Sequence, residues 1–305
     1  KSSINPDETT VAMIVEYLDS LLKKENKSFY TVRARISAIA FFHPGHTFHG
    51  TLGTHSLIQS FVSGAKRKFP PIRDKFPSWE LPIVLKAMKA PPFEPIDDIS
   101  LAKLTKKTLF LVAICSARRI GELQALDCRP PYCSIGAGGV ILKTHSSFVP
   151  KVPTVQNIEK SIEFAPYGIN DDGSDGPERP LCVCRALVKY LEVTKPIRQT
   201  NQLFVTFKPG AQGKAASKVT MAGWLKTAIQ EAYQARNKPL PVGVKAHSTR
   251  HQSVSWADLR ASSILDICFQ ASWSSPNTFV KHYKLDLSRS VSARHARAVL
   301  DAHNH

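Results

Sequence analysis

The sequence predicts a mainly α-helical protein with a small β component, split into an N-terminal helical domain and a larger α+β domain. Three observations predict it. Apolar residues recur at a helical period through most of the chain. Only a few short β-branched or aromatic runs interrupt that period, among them Val140-Ile141-Leu142. And a basic, proline-rich segment at 70–77 divides 305 residues, a length that suits about two domains of ~100–200 residues. The expected division is therefore a helical domain over 1–69, a linker over 70–77 and a second domain over 78–305.

In the first domain, Val11, Ile14, Val15, Leu18, Leu21 and Leu22 share one helix face, with Thr9 or Thr10 able to cap it. Asn26-Lys27-Ser28 breaks that helix. A second, from Ser28 to Phe42, places Phe29, Val32, Ile36, Ile39 and Ala40 on one face and Arg33 and Arg35 on another, and Pro44-Gly45 stops it. A third runs from about Ser56 to Lys68, with Leu57, Ile58, Phe61 and Val62 apolar, and ends in Lys66-Arg67-Lys68. Pro70-Pro71 then removes two backbone donors and favours an extended chain, which Arg73 helps make basic.

In the second domain, Trp79 to Lys89 reads as helix. Leu101 to Leu126 reads as one or two strongly apolar helices, with Leu104, Leu109, Leu111, Val112 and Ile114 inside. Gly138-Gly139 introduces the strand Val140–Leu142, for which Ser161–Phe164 is the expected partner. The span from Tyr167 to Pro180 is an acidic loop rich in Gly, Asp and Pro. Helix follows from Leu181 to Val193, a short strand at Leu203–Val205, a basic loop from Lys208 to Lys218 and an amphipathic helix from Thr220 to Ala235. Three or four short helices are expected from Ser248 to Arg297. The basic loop lacks the Gly-x-x-x-x-Gly-Lys-Ser/Thr string of a nucleotide-binding loop.

Lysines and arginines number 41 against 24 acids, a formal charge of +17. Such a surplus calls for a polyanion. Nucleic acid is the simplest, an anionic membrane the rival. No apolar run reaches the ~18 residues of a spanning helix, and no secretory signal opens the chain, which begins at Lys1 and so reads as a piece of something longer. The six cysteines form no Cys-x-x-Cys pair and read as reduced, mostly buried thiols of an intracellular protein. His43-x-x-His46-x-x-His49 has metal-like spacing but contains Pro44 and Gly45, with no cysteine or carboxylate near in sequence, and reads as a loop with incidental histidines.

The chemistry-bearing residues are Arg119 and Glu122 in Ala117-Arg118-Arg119-Ile120-Gly121-Glu122-Leu123, His247 and Arg250 in His247-Ser248-Thr249-Arg250, then Trp273 and Tyr283. Each alone has an ordinary reading: an i, i+3 ion pair, a chance pair, a core tryptophan, an amphipathic tyrosine. Together they supply what phosphodiester cleavage needs. Guanidiniums fork onto two phosphate oxygens and stay charged, and donors surround the non-bridging oxygens. A phenol, with an ordinary pKa of ~10, can attack inside a cationic field or beside a base such as His247.

These motifs resemble those of the tyrosine recombinases, the phage-integrase family. Arg119-Ile120-Gly121-Glu122-Leu123 is similar to the first-arginine motif, in a register that selects Arg119 over Arg118, with Glu122 as the bracing acid. His247-x-x-Arg250 is similar to the second box. Trp273 takes the position usually held by His or Trp, and Tyr283 that of the nucleophile, though one residue further from Trp273 than is commonest. The resemblance implies a core-binding domain over 1–69 and a catalytic domain over about 78–305, which clamp double-stranded DNA and act as a tetramer on two sites. It implies site-specific breakage and rejoining through a 3′-phosphotyrosine, with no cofactor, metal or nucleotide and no membrane partner. A lysine in the hairpin after the first-arginine helix would protonate the leaving oxygen. Lys151, after a turn, is preferred for this over Lys143, at the end of the strand. Arg33, Arg35, Lys66, Arg67, Lys68 and Arg73 are the expected DNA contacts. The wording Ser272-Trp273-Ser274-Ser275-Pro276-Asn277-Thr278-Phe279 and Phe148-Val149-Pro150-Lys151 is closer still to recombinases of DIRS-type and Ngaro-type retroelements. That implies element integration in a nucleus. A catalytically silent, domesticated DNA-binding protein and a type IB topoisomerase are the competing expectations.

Overall fold

The structure, a computed structural model, describes residues 9–43, 51–70, 77–151, 153, 160–260, 262–285 and 287. The chain divides into two compact units, Lys1–Asp74 and Lys75–His305. Arg73, His46, His49 and the final basic stretch from Ser288 to His305 lie outside the described residues.

In the first unit, α1 (Val11–Lys23) is capped by the Thr10 hydroxyl, which accepts from the Met13 N–H, and α2 (Phe29–Phe42) by Ser28, which accepts from Thr31. After a 3-10 turn at Leu52–Thr54, α3 (Ser56–Lys68) follows, capped by the His55 ring. Their apolar faces meet in one core of Val11, Ile14, Leu18, Leu22, Val32 and Ile58, among others. Arg33 and Arg35 are exposed on α2. Lys66, Arg67 and Lys68 are exposed in the last turn of α3, where cations also complement the helix dipole.

The second unit is built around α5 (Leu101–Ser116), buried along nearly its whole length. Around it pack α7 (Val183–Thr194), α8 (Lys218–Ala235) and α9 (Ser248–Leu259), while α4 (Leu81–Met88) packs on α8. A three-stranded antiparallel sheet in the order β1 (Cys133–Gly136), β2 (Gly139–Leu142), β3 (Ile162–Phe164) pairs Val140 with Phe164 and Leu142 with Ile162. Val140, Leu142, Ile162 and Phe164 face the core. Short helices α10 (Ile264–Gln270) and α11 (Pro276–His282) close the described chain.

Two expectations need correction, at Trp79 and at Leu203–Val205, and one strand, β1, goes beyond what is expected. Trp79 is not helical: its carbonyl accepts from Gln252 Nε2, and the Glu80 N–H donates to the Tyr233 hydroxyl at 2.7 Å. Side chains thus satisfy this backbone, and α4 starts only at Leu81, with Pro82 in its first turn. Of the one or two helices expected over Leu101 to Leu126, the structure has two: the first breaks at Ala117, which takes a left-handed φ of +53°, and the chain resumes as α6 (Ile120–Gln124). Arg119 is therefore the residue that caps α6, not one inside a continuous helix. Leu203–Val205 forms only isolated bridges at its margins, Asp127 with Gln202 and Val205 with Ala215, and no named strand. Strand β1 carries only Ile135 as a β-branched residue and has no apolar alternation to announce it.

Candidate active site

The break between α5 and α6 turns Arg118 and Arg119 out of the helix and toward α9. Glu122 holds both. It is 5% exposed and accepts from Arg119 Nη1 at 3.0 Å, with Arg118 Nη1 at 3.6 Å. Among the described residues it is the only acid beside these two arginines in the cavity that Thr144, Lys160 and Ser272 also line, so their lining is net positive.

From the other side, α9 begins one residue after His247 and carries Arg250 in its first turn. Arg250 is 1% exposed. One nitrogen, Nη2, donates to the Ala271 carbonyl, while Nε and Nη1 are buried with no hydrogen-bond partner among the described residues. Its guanidinium carbon lies 4.9 Å from the Trp273 ring centroid and 5.3 Å from that of Tyr283. Burial, then the charge of Arg119, pushes Arg250 down to about 10, so it stays cationic at neutral pH. Trp273 Nε1 is likewise buried without a partner. Such orphaned donors are costly in a folded protein unless something fills them.

Tyr283 sits at the end of α11, its ring half-buried among aromatics. Centroids lie 4.4 Å from Trp273, 4.7 Å from His251 and 5.4 Å from His247. The Ser255 hydroxyl fixes the backbone here: it donates to the Tyr283 carbonyl at 3.2 Å and accepts from the Leu285 N–H at 2.8 Å. Beneath lies a small apolar cluster of Ala117, Val254, Ile267, Ala271 and Phe279, which joins the first-arginine turn to α9, α10 and α11. Trp273 and Phe279 stack at 6.1 Å and 22° above it. His247 keeps part of its ring in solvent. Desolvation, then the charges of Arg250, Arg119 and Lys151, still holds its imidazole below the usual value. That direction favours the neutral ring, which can accept a proton.

The fold thus brings Arg119, Glu122, His247, Arg250, Trp273 and Tyr283 together from segments up to 164 residues apart. Lys151 is exposed and close enough to act on His247. Lys143 is exposed at the end of β2, its N–H donating to the Tyr132 carbonyl. Three further residues enter that sequence reasoning did not single out. Arg118 is buried beside Glu122. His251, one turn along α9 from His247, faces Tyr283; the i, i+4 spacing was the available signal. Lys160 stands 3.8 Å over the Phe269 ring, and burial, then Arg118, pushes it down to about 8. Its place just ahead of the predicted strand partner was the only hint. Arg33, Arg35 and Lys66 to Lys68 belong to the first unit. No metal-binding group of His, Cys, Asp or Glu occurs among the described residues, and all six cysteines are free thiols.

No protein-family model and no curated protein matches the chain. Solved structures do. The Tn1549 transposon integrase in complex with transposon right-end DNA aligns at 12% identity and a TM-score of 0.57, covering 97% of this chain and 88% of that one. The XerH site-specific recombinase bound to its palindromic difH substrate aligns at 14% and 0.56, covering 98% and 73%. A Tn1549 integrase complex with a circular-intermediate DNA gives 12% and 0.58, covering 97% and 86%. The fold is that of the tyrosine recombinases.

Proposed function

We propose that this chain cuts and rejoins duplex DNA as a site-specific recombinase. The observation that carries the reading is the set of buried, unpartnered donors, Arg250 Nε and Nη1 and Trp273 Nε1, packed against the Tyr283 ring. A phosphodiester placed there would meet fixed donors and cationic charge, the arrangement that lowers a barrier as charge develops on phosphate oxygens. Tyr283 Oη attacks phosphorus and forms a P–O bond as the bond to the 5′ oxygen breaks. His247, neutral in its surroundings, takes the phenolic proton directly or through a water. The leaving 5′ oxygen takes a proton from a lysine. The bond energy stays in the 3′-phosphotyrosine, so the same oxygen can return and reseal the strand without nucleotide.

Lys151 is the proposed donor, supported by its action on His247. A second reading is favoured by one observation: Lys160 lines the same cavity as Arg118, Arg119 and Glu122, and its lowered value near 8 suits proton donation at neutral pH. The resemblance of the Ser272–Phe279 wording supports integration of a eukaryotic retroelement, in the nucleus and as a tetramer on two sites. The solved relatives of this fold were captured on transposon-end, circular-intermediate and recombination-site DNA, which supports duplex DNA as substrate.

A nicked suicide duplex tests the reaction. Wild-type protein is expected to form a protease-sensitive covalent adduct, and Tyr283→Phe to form none. An adduct that persists in Tyr283→Phe removes the nucleophile. Binding without any adduct points to a silent DNA-binding protein, and relaxation of supercoils by a monomer to a topoisomerase.

A further inference from the structure

Arg118 is 6% exposed and reaches two segments far from it in sequence. Nη1 donates to the Ser272 hydroxyl at 2.6 Å, 154 residues away, and Nη2 to the Ser161 carbonyl at 3.4 Å, 43 residues away. Glu122 balances its charge at 3.6 Å. Ser272 immediately precedes Trp273, and Ser161 immediately follows Lys160 and leads into β3.

The backbone at Ser272 gives this contact its meaning. The Ser272 N–H donates to the Phe269 carbonyl at 3.0 Å and the Trp273 N–H to the Cys268 carbonyl at 2.9 Å. That pair of bonds ends α10 in a left-handed cap, and Ser272 occupies the left-handed position at φ +53°. Glycine is the least strained residue there. A serine supplies a hydroxyl instead, and that hydroxyl goes to Arg118.

We infer that Arg118 is a positioning residue: a buried clamp that sets Trp273 and the Lys160 approach to β3 in register with Arg119. A forked guanidinium can hold two oxygens in different directions, and a single ammonium on a flexible stem holds them with less order. The inference rests on the recombinase reading, since register matters only if Trp273, Arg119 and a lysine act on one phosphate.

The test uses the full chain on the nicked suicide duplex, in single turnover, with duplex affinity and thermal unfolding measured alongside. Ser272→Gly relieves the left-handed backbone while removing the hydroxyl. Its unfolding temperature should equal or exceed wild type and its affinity for duplex should hold, yet adduct formation should slow about tenfold or more, the scale on which small misplacement acts. Arg118→Lys keeps the charge and should slow comparably. A substrate with sulfur at the 5′ bridging position leaves as a thiolate and needs no proton. It should recover part of the loss in Arg118→Met, where the Lys160 arm is also released, and little in Ser272→Gly. Wild-type rates in Ser272→Gly, or in Arg118→Lys, would overturn the clamp and leave the recombinase reading standing. Absence of an adduct in wild type itself would take away that reading and the clamp with it.

Discussion

At the scale of single residues, the site gathers several cations around one acid, Glu122, that holds two of them. Glu122 fixes Arg119 and Arg118; Arg250 is instead seated by a carbonyl and two aromatic faces, which leave its remaining nitrogens available. That crowding of cations has a pH signature. His247 must be neutral to accept a proton, and its value is held below the usual ~6.5. The rate of adduct formation should therefore rise with pH through a limb below that value. Folding favours the neutral ring as well, so stability tied to His247 is present above ~6.5 and falls as pH drops toward the lowered value. If Lys160 supplies the proton, it must be protonated, and the rate should fall above about 8. Lys160→Met should then lower the rate and erase that upper limb. A limb that survives Lys160→Met assigns the proton to Lys151. Rapid-quench rates across pH 5–10 make the measurement.

Among the elements, α9 depends on a residue near the start of its own unit. Trp79 Nε1 donates to the Ser248 hydroxyl at 2.7 Å, and Gln252 bridges the Trp79 carbonyl and the Trp256 ring N–H. Ser248 lies between His247 and Arg250, so the tryptophan steadies the turn that presents both. Trp79→Phe keeps most of the buried ring but loses the N–H. It should cost about 1 kcal/mol by thermal unfolding and slow the adduct step more than it weakens duplex binding; equal losses in both would mean general loosening only. The helices with clear apolar period and a capping hydroxyl, α1 and α2, were legible because local chemistry alone specifies them. The turn at Ala117 was not. Nothing in Ser116-Ala117-Arg118-Arg119 carries a Gly or Pro to mark a break, and the left-handed alanine is held by burial in a cluster assembled from α9, α10 and α11. Residues Leu203–Val205 have strand-like side chains, but their backbone partners are scattered single bridges that no local pattern encodes.

For the molecule as a whole, the residues that cluster in the second unit could be singled out because six residues in a fixed order are a stronger signal than any one of them. Arg118, His251 and Lys160 were not, since their roles come from contacts across 32 to 154 residues. The +17 charge makes its own prediction. If Lys66, Arg67 and Lys68 each neutralise a phosphate, replacing all three by Gln should flatten the log–log salt dependence of duplex binding by about 2 to 3, at ~0.9 per contact. An unchanged slope would assign them to solvent and the helix dipole. The last consequence comes from the Ser255 bridge, which binds the Tyr283 backbone to the same polypeptide that carries Arg250. On the proposed reaction, cutter and anvil then belong to one molecule, and two crippled copies would have nothing to lend each other. An equal mixture of Tyr283→Phe and Arg250→Ala protein should stay inert on the suicide duplex, whereas an enzyme that borrows its tyrosine from a neighbour would regain activity when the two are combined.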